Sequence, residues 1–317
     1  MTGLPKWGIV ATIRADARAI LDFAAHHLDL GAHRLHVFLD EDCPQARAAL
    51  EAHPRCRVTL TDAAFWAARR RPRPDKHQAR QTMNATRAYR RRPGVDWLAH
   101  IDVDEFLLPE APLARQLAAL PAAAPTARMR PVEALAPLPG DDPAQTWFKG
   151  CAPGQKLRNR QTAEIYPTYG AHLNGGFLSH VAGKIFVRTG IEGLSLRIHN
   201  AFLDGARIPN AHELPRTLLA HFHAPDWQTW QRAYRYRLRH GSYRAGLRGG
   251  GAEGTAMNTL FSLIEREGGE AALRAFYDEV CTASPGLRAR LAANGLLHRA
   301  ALDLDAKRAR HFPDHAG

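Results

Sequence analysis

The stretch that decides the fold is WLAHIDVDEFLL, which runs from Trp97 to Leu108. It is apolar except for His100 until three carboxylates follow, and apolar residues then return. A short apolar run of this kind is typical of a buried strand, and strands of an α/β sheet end at a binding crevice. Side chains alternate along an extended backbone, which would put Asp102 and Asp104 on one face. Two such carboxylates predict a site for a hard divalent cation, Mn²⁺ or Mg²⁺, that in turn holds a diphosphate.

The same acidic residues also permit a purely structural explanation. They would mark the start of a helix, with Asp104 or Glu105 near the N-cap. The order of the surrounding elements favours the metal site. Apolar, β-prone runs at 7–13, 35–39, 57–62 and 97–101 alternate with helical patterns at 16–30, 44–52 and 76–89.

This alternation predicts parallel β-α-β units. We therefore expect an α/β protein with a Rossmann-related, mostly parallel sheet flanked by helices. Ligands of such sheets bind beyond the carboxyl ends of the strands. Polar residues stand at all four predicted ends: Thr12 and Arg14, Asp40 and Glu41, Asp62, and Asp102 and Asp104.

The last third of the chain has a different pattern. Helical periodicity recurs at 227–240, 255–267, 271–283 and 285–294. The sequence thus predicts an α/β domain over residues 1–225 and a helical C-terminal segment over residues 226–317.

The composition is that of a basic globular protein. The formal net charge is +12 and the pI about 10.1. Such a surface attracts phosphorylated substrates, acidic lipids or nucleic acid. Arginines cluster at 68–74, 90–93 and 232–239. Arginine-rich clusters beside proline are also common in solvated loops, so the clusters alone do not choose among these partners.

Other features narrow the class of protein. No apolar run reaches the roughly 18 residues of a membrane-spanning helix, and we expect no signal peptide. The four cysteines lie far apart and form no C-x-x-C pair, which argues against a disulfide framework or a zinc cluster. A reduced, cytoplasmic setting is the expectation.

The ordered set of motifs resembles the family 2-like glycosyltransferases of the GT-A fold, which carry a D-x-D-E-F signature. This chain has that signature at 102–106, after a first strand that ends in Thr12-Ile13-Arg14 and a second that ends at Asp40. Weaker similarities follow at Gly183-Lys184, at 198–200 and at 221–222. The resemblance covers roughly residues 7–240.

The resemblance implies roles for the matching positions. Asp104 would be the chief metal ligand, and Asp102 would share the metal or touch the ribose. Thr12, Arg14 and Asp40 would bound the nucleotide pocket, with Asp40 accepting a hydrogen bond from the base. His221 would supply a further ligand to the metal or the diphosphate.

The chemistry of sugar transfer adds further candidates. The leaving diphosphate needs a cation and a fixed basic group, and Lys184 is the candidate to reach a phosphate, unless it is a surface lysine. His199 and His223 are alternatives to His221 as metal ligands, although histidines in strands are more often packed in the core. His100 is expected either to pack in the core or to support the residues that bind the metal. No residue matches the family's catalytic base, for which the weak candidates are Asp141, Asp142, Glu192, Asp204 and Glu213. Trp147, Trp227 and Trp230 would stack on a sugar or pack internally.

The leading hypothesis is a metal-dependent glycosyltransferase, inverting, that moves a hexosyl group from a UDP- or GDP-sugar to a polysaccharide or glycolipid acceptor. The basic, aromatic helix at 227–243 predicts a peripheral contact with an anionic membrane. The alternative is a non-catalytic, basic nucleic-acid-binding protein, which the net charge favours but no nucleic-acid-binding motif supports.

Overall fold

The computed structural model describes residues 3–70, 72–209, 212–247 and 249–315. Arg71, part of the first arginine cluster, lies outside them. The chain forms two compact units. The first contains Met1–Arg130, Ala182–Leu219 and Asp303–Gly317, and the second contains Pro131–Val181 and Ala220–Leu302. The division into an α/β domain at 1–225 and a helical segment at 226–317 stays a prediction.

The strands and helices have these bounds. The strands are β1 (Trp7–Ile13), β2 (Arg34–Leu39), β3 (Cys56–Leu60), β4 (Trp97–His100), β5 (Glu105–Pro109), β6 (Thr126–Ala134), β7 (Thr146–Lys149), β8 (Lys184–Arg188), β9 (Leu194–Leu196), β10 (Ala201–Leu203), β11 (Ala206–Arg207), β12 (Glu213–His221) and β13 (Leu297–Ala300). The helices are α1 (Ala17–Asp29), α2 (Pro44–Ala52), α3 (Ala63–Ala67), α4 (His77–Arg90), α5 (Leu113–Ala118), α6 (Gln155–Ile165), α7 (Trp227–Arg239), α8 (Met257–Cys281), α9 (Pro285–Ala293) and α10 (Leu304–His311), with short 3₁₀ turns at Gly170–His172 and Pro313–His315.

The first unit is an α/β unit built on a mixed sheet. Its strands lie in the order β6-β8-β4-β1-β2-β3. The neighbours β4, β1, β2 and β3 are parallel, as the alternation predicted, whereas β8 is antiparallel to β4 and β6 is antiparallel to β8. The expected mostly parallel sheet is therefore correct for the first four strands, and the sheet as a whole is mixed. Gly8 is required in β1, because a Cβ there would lie 2.6 Å from the carbonyl oxygen of Arg34.

Helix α1 is bounded as its sequence predicts. The Asp16 side chain accepts a hydrogen bond from the N–H of Ala19 at 2.8 Å and caps the helix. Gly31 follows the helix with φ of +94°, a conformation that glycine adopts without strain. The helix buries Ile20, Phe23 and neighbouring residues against the sheet. Helix α10 packs along α1, where ion pairs join Arg308 to Asp22 and Arg310 to Asp29.

The second unit surrounds an aromatic core. Strand β7 pairs with β13 and with the end of β6, and helices α6 to α9 supply most of the buried side chains. Trp230 and Tyr234 of α7 lie within this core, where the Tyr243 hydroxyl accepts a hydrogen bond from Trp230 Nε1 at 3.1 Å. The aromatic residues that suggested membrane contact for α7 therefore pack internally, and the exposed face of the helix carries mainly polar and charged residues, with Tyr236 as its exposed aromatic ring.

Some elements differ from the sequence prediction. Helix α6 stands where only loop and short strands were expected. The two helices predicted at 255–267 and 271–283 form one element, α8, with a kink at Gly269, whose φ of 56° interrupts the helical backbone. Helix α3 follows β3 directly, because Asp62 caps it by accepting a hydrogen bond from the N–H of Phe65. No helix among the described residues combines the length and apolarity needed to cross a bilayer.

Two adjacent buried histidines tie α1 to β5. His26 Nε2 donates to the carbonyl of Leu107 at 2.8 Å, and His27 Nδ1 donates to the carbonyl of Phe23 at 2.7 Å. The His27 ring stacks on Phe106, with centroids 6.1 Å apart. Burial, followed by the charge of Lys307, lowers the pKa of His26 to about 4, and burial also lowers the pKa of His27. Both rings are neutral in the folded protein near pH 7.

We predict that the melting temperature falls as the pH is lowered from 6.5 to about 4. The unfolded chain takes up protons on these histidines from an ordinary pKa near 6.5, while the folded chain resists them. Each such histidine should cost about 1.4 kcal/mol per pH unit in that window. The His26→Gln variant should show a shallower pH dependence than the wild type, and the exposed control His240→Gln should match the wild type. A wild-type melting temperature that is constant across this window would contradict the prediction.

Candidate functional site

The acidic stretch forms a tight turn between two strands. β4 ends at His100, and the carbonyl of Asp102 accepts a hydrogen bond from the N–H of Glu105 at 3.0 Å. β5 begins at Glu105, so neither Asp104 nor Glu105 lies at the start of a helix. The backbone through Asp104 is a turn and not the extended segment expected from the sequence. The alternation rule therefore does not place the carboxylates of Asp102 and Asp104 on one face.

Lys184 forms ion pairs with two carboxylates of this turn. Its Nζ lies 2.7 Å from Asp102 Oδ2 and 3.2 Å from Glu105 Oε2, and the residue is only 1% exposed. Burial opposes its charge, but the carboxylates of Asp102 and Glu105 raise the pKa of Lys184 above its ordinary value. Glu105 also accepts a hydrogen bond from the backbone N–H of Asp102 at 2.8 Å. Lys184, which was expected to reach a phosphate, is therefore bound by two carboxylates. The alternative expectation, that Lys184 is a surface lysine, is wrong.

One polar stripe of helix α4 reaches three of the predicted site residues. Arg80 contacts Asp40, Gln81 Nε2 donates to Asp102 Oδ1, and Asn84 Nδ2 donates to Thr12 Oγ1 at 3.2 Å. The stripe is completed by His77, which lies 3.4 Å from an Asp40 oxygen. Residues three and four apart share a face of a helix, so the stripe follows from the spacing.

This stripe is not among the site residues predicted from the sequence. Helix α4 was predicted from its apolar positions alone, although Arg80, Gln81 and Asn84 are all buried. Buried polar groups need hydrogen-bond partners. Four polar residues at helical spacing, at positions 77, 80, 81 and 84, were the signal available in the sequence.

Asp40 lies at the carboxyl end of β2, with its side chain fully buried. Arg80 Nε is 2.9 Å from both carboxylate oxygens, and Arg73 contributes a further contact at 3.1 Å. Burial would raise the pKa of Asp40, but hydrogen bonds from His77 and Arg80 and the nearby arginine charges lower it below its ordinary value. The carboxylate expected to accept a hydrogen bond from a base is thus ionised and already bound by arginine.

A pocket of about 540 Å³ opens beside Asp40. Thr61 and Trp66 form part of its wall, and the Trp66 ring is held in place because its Nε1 donates to the carbonyl of Thr61 at 3.0 Å. The lining residues are Asp40, Thr61, Asp62, Ala63, Trp66, Ala67, Pro72 and Arg73. This volume is in the range of small-molecule sites, and the wall combines apolar surface with a few polar groups.

The other predicted residues of the first unit are placed as follows. Thr12 is buried at the end of β1. Arg14 is exposed and forms an ion pair with Glu41 at 2.6 Å, outside the contacts of the α4 stripe. His199 Nδ1 donates to the carbonyl of Gly183 at 2.9 Å, and His100 is buried at the end of β4. Burial, and then the charge of Lys184, lowers the pKa of His100 to about 4.

His221 and His223 belong to the second unit. His221 is the last residue of β12, with its ring 5.2 Å from that of His223. His223 is buried, and its Nε2 accepts a hydrogen bond from the Tyr243 hydroxyl at 2.9 Å. His223 is therefore a packed histidine, and a ligand role for His221 stays a prediction.

The remaining candidates do not form a recognisable catalytic group. Asp141 is paired with Arg288 at 2.9 Å, and Glu213 is paired with Arg130. Trp230 is fully buried. Trp227 and Trp147 are partly buried against the core of the second unit. The guanidinium carbons of Arg274 and Arg288 lie 5.2 Å from the ring centroids of Trp227 and Trp147, respectively. None of the residues predicted as candidates for the catalytic base is assigned that role.

A divalent cation at the acidic turn would take its protein ligands from Asp102 and Asp104. Within the described ranges, no three His, Cys, Asp or Glu side chains are grouped as ligands for a metal ion. The donor chemistry still fits a hard cation, because Mg²⁺ is often held by one or two carboxylates and the phosphates of a substrate. Both oxygens of Asp102 accept hydrogen bonds, one from Lys184 and the other from Gln81.

Comparison of the sequence with protein-family models gives no match, and comparison with curated proteins gives none. The resemblance to the GT-A glycosyltransferases therefore rests on the motifs of the chain itself.

Substitution of Lys184 should destabilise the first unit. In Lys184→Met the carboxylates of Asp102 and Glu105 lose their counter-charge, and breaking a buried ion pair costs about 3–5 kcal/mol. The measurement is urea unfolding followed by circular dichroism. The double variant Lys184→Met/Glu105→Gln should recover part of the loss, because it removes one uncompensated charge, while the exposed control Lys156→Met should have no effect. A stability of Lys184→Met equal to that of the wild type would contradict the ion-pair assignment.

Proposed function

We propose that the protein is a metal-dependent glycosyltransferase that moves a sugar from a UDP- or GDP-sugar to a glycan or glycolipid acceptor. The observation that carries the proposal is the convergence of Thr12, Asp40 and Asp102 on helix α4. They lie at or just beyond the carboxyl ends of the parallel strands β1, β2 and β4. This edge of an α/β sheet is where ligands bind.

The pocket beside Asp40 supports the nucleotide part of the proposal. It is large enough for a nucleoside, and Arg73 brings a guanidinium group to its wall. Guanidinium groups suit phosphate oxygens because they donate two parallel hydrogen bonds. In this proposal Asp40 acts by positioning Arg73 and Arg80, and the base is bound by the pocket wall.

Asp104, with a smaller share from Asp102, would hold the Mn²⁺ or Mg²⁺ ion. When bound, the ion supplies positive charge to the leaving diphosphate. Lys184 keeps Asp102 and Glu105 in place and offsets part of the negative charge of the turn. Gln81 positions Asp102 through its other carboxylate oxygen. These residues fix the positions of the carboxylates of the turn before a substrate binds.

The finer features stay within the proposal. A GT-A fold, inversion at the sugar carbon and hexosyl transfer come from the resemblance of the D-x-D-E-F motif at 102–106. His221 as a metal ligand, a lipid-linked acceptor at an anionic membrane, and a cytoplasmic location belong to the same proposal. The net charge of +12 supports acidic partners in general.

A nucleoside diphosphate should stabilise the protein only when Mn²⁺ is present. At a ligand concentration about 100-fold above Kd, binding raises the free energy of unfolding by about 2.7 kcal/mol. Thermal-shift measurements with UDP and with GDP, each with and without Mn²⁺, test this. The Asp104→Asn variant should lose the metal-dependent shift, since it removes a carboxylate ligand.

The matched control is Glu51→Gln, which removes one exposed carboxylate from α2 of the same unit and should keep the full shift. The proposal fails if neither nucleotide shifts the wild-type melting temperature with Mn²⁺, or if Asp104→Asn responds as strongly as the wild type.

A further inference from the structure

A cluster of arginines lies where the ends of α3 and α4 meet. Arg69 follows α3, and its guanidinium carbon lies 3.3 Å from the centroid of the Phe65 ring. Arg87, in the last turn of α4, lies 5.8 Å from the same centroid. We call the surface formed by the following residues the arginine face: Arg69, Arg70, Arg87, Arg90, Arg91 and Arg92.

The charges of the arginine face are not neutralised by acids of the described chain. None of its six arginines forms an ion pair with a carboxylate of the residues that the structure describes. Elsewhere in the same unit, Arg80 pairs with Asp40 and Arg308 pairs with Asp22. The arginine face therefore differs from an ordinary ion-paired surface.

Three guanidinium groups of this face, those of Arg69, Arg87 and Arg91, repel one another. Burial, and then the charge of Arg91, lowers the pKa of Arg69. Burial, followed by the charges of Arg69 and Arg91, lowers the pKa of Arg87. The carboxyl end of α4 offsets part of this repulsion, because the helix dipole is negative there. An external anion would offset the rest.

The shape of the face indicates an extended anion. Arg70, Arg90, Arg91 and Arg92 are all exposed, so the charges are spread over a surface. The aromatic ring at its centre, Phe65, is buried beneath Arg69 and is not available to stack on bases. Single-stranded nucleic acids are bound through exposed aromatic rings, whereas lipid headgroups need only positive charge near the surface.

We propose that the arginine face binds the phosphate groups of an anionic lipid bilayer and holds the first unit against a membrane surface. The contact is electrostatic, since no large apolar side chain between Phe65 and Val95 in the described chain is exposed enough to insert. This binding goes beyond the proposed transfer reaction and does not depend on it. It also moves the membrane contact from α7, whose tryptophans pack internally, to the ends of α3 and α4.

Vesicle co-sedimentation tests the proposal. The wild-type protein should bind vesicles that contain phosphatidylglycerol and not vesicles of phosphatidylcholine alone, and binding should weaken as salt is raised. The triple variant Arg70→Gln/Arg90→Gln/Arg91→Gln should bind roughly a hundredfold more weakly, because each arginine near an anionic surface contributes about fivefold. Arg69 and Arg87 are left unchanged because they pack on Phe65.

The matched control removes the same charge from the second unit, in Arg232→Gln/Arg235→Gln/Arg239→Gln of α7. It should bind vesicles within about threefold of the wild type. Equal losses in both triple variants, or a larger loss in the α7 variant, would overturn the assignment to the arginine face. So would the absence of wild-type binding to anionic vesicles.

Two further measurements separate this proposal from its alternatives. If the wild type binds duplex DNA more tightly than vesicles and the arginine-face variant loses that binding, the face is a nucleic-acid surface and the lipid proposal is wrong. The Mn²⁺-dependent thermal shift with UDP or GDP is measured on the same variant and should equal that of the wild type. Failure of the nucleotide proposal is thus seen independently of vesicle binding.

Discussion

The ammonium group of Lys184 lies between the carboxylates of Asp102 and Glu105, and the geometry of the acidic turn depends on this contact. Carboxylates that are crowded and partly withdrawn from water repel one another unless a counter-charge is close. A lysine from the antiparallel neighbour β8 supplies that charge from beneath the turn. The turn can therefore carry three acids within four residues and still fold against a sheet.

Helix α4 extends the same principle to the rest of the site. A buried helix face is ordinarily apolar, yet this one presents Arg80, Gln81 and Asn84 to the sheet. Each finds a partner at or just beyond a different strand end, so the cost of burying polar groups is offset by hydrogen bonds. One rigid element thus sets the positions of Asp40, Asp102 and Thr12. Sites held by such elements are more accurately positioned than sites held by loops alone.

The positive charge of the chain is used in two distinct ways. Arg73, Arg80 and Lys184 are paired with carboxylates near the site, where they fix side chains in place. The arginines at the ends of α3 and α4 have no such partners among the described residues. The net charge alone does not distinguish these two uses, whereas the distribution of acids around each basic group distinguishes them.

The sequence by itself determined the parallel β1-β2-β3-β4 core, the caps of α1 and the helical character of the last third, because periodicity and capping are local properties. The sequence also predicted that Thr12, Asp40 and Asp102 lie at one edge of the sheet. Only the tertiary structure decided that 102–105 is a turn, that Lys184 faces carboxylates, and that Asp40 is bound by Arg80. The last two are contacts between residues 40 to 82 positions apart. Local pattern has no access to such pairings, since the partner of a buried charge is chosen by packing of the whole unit.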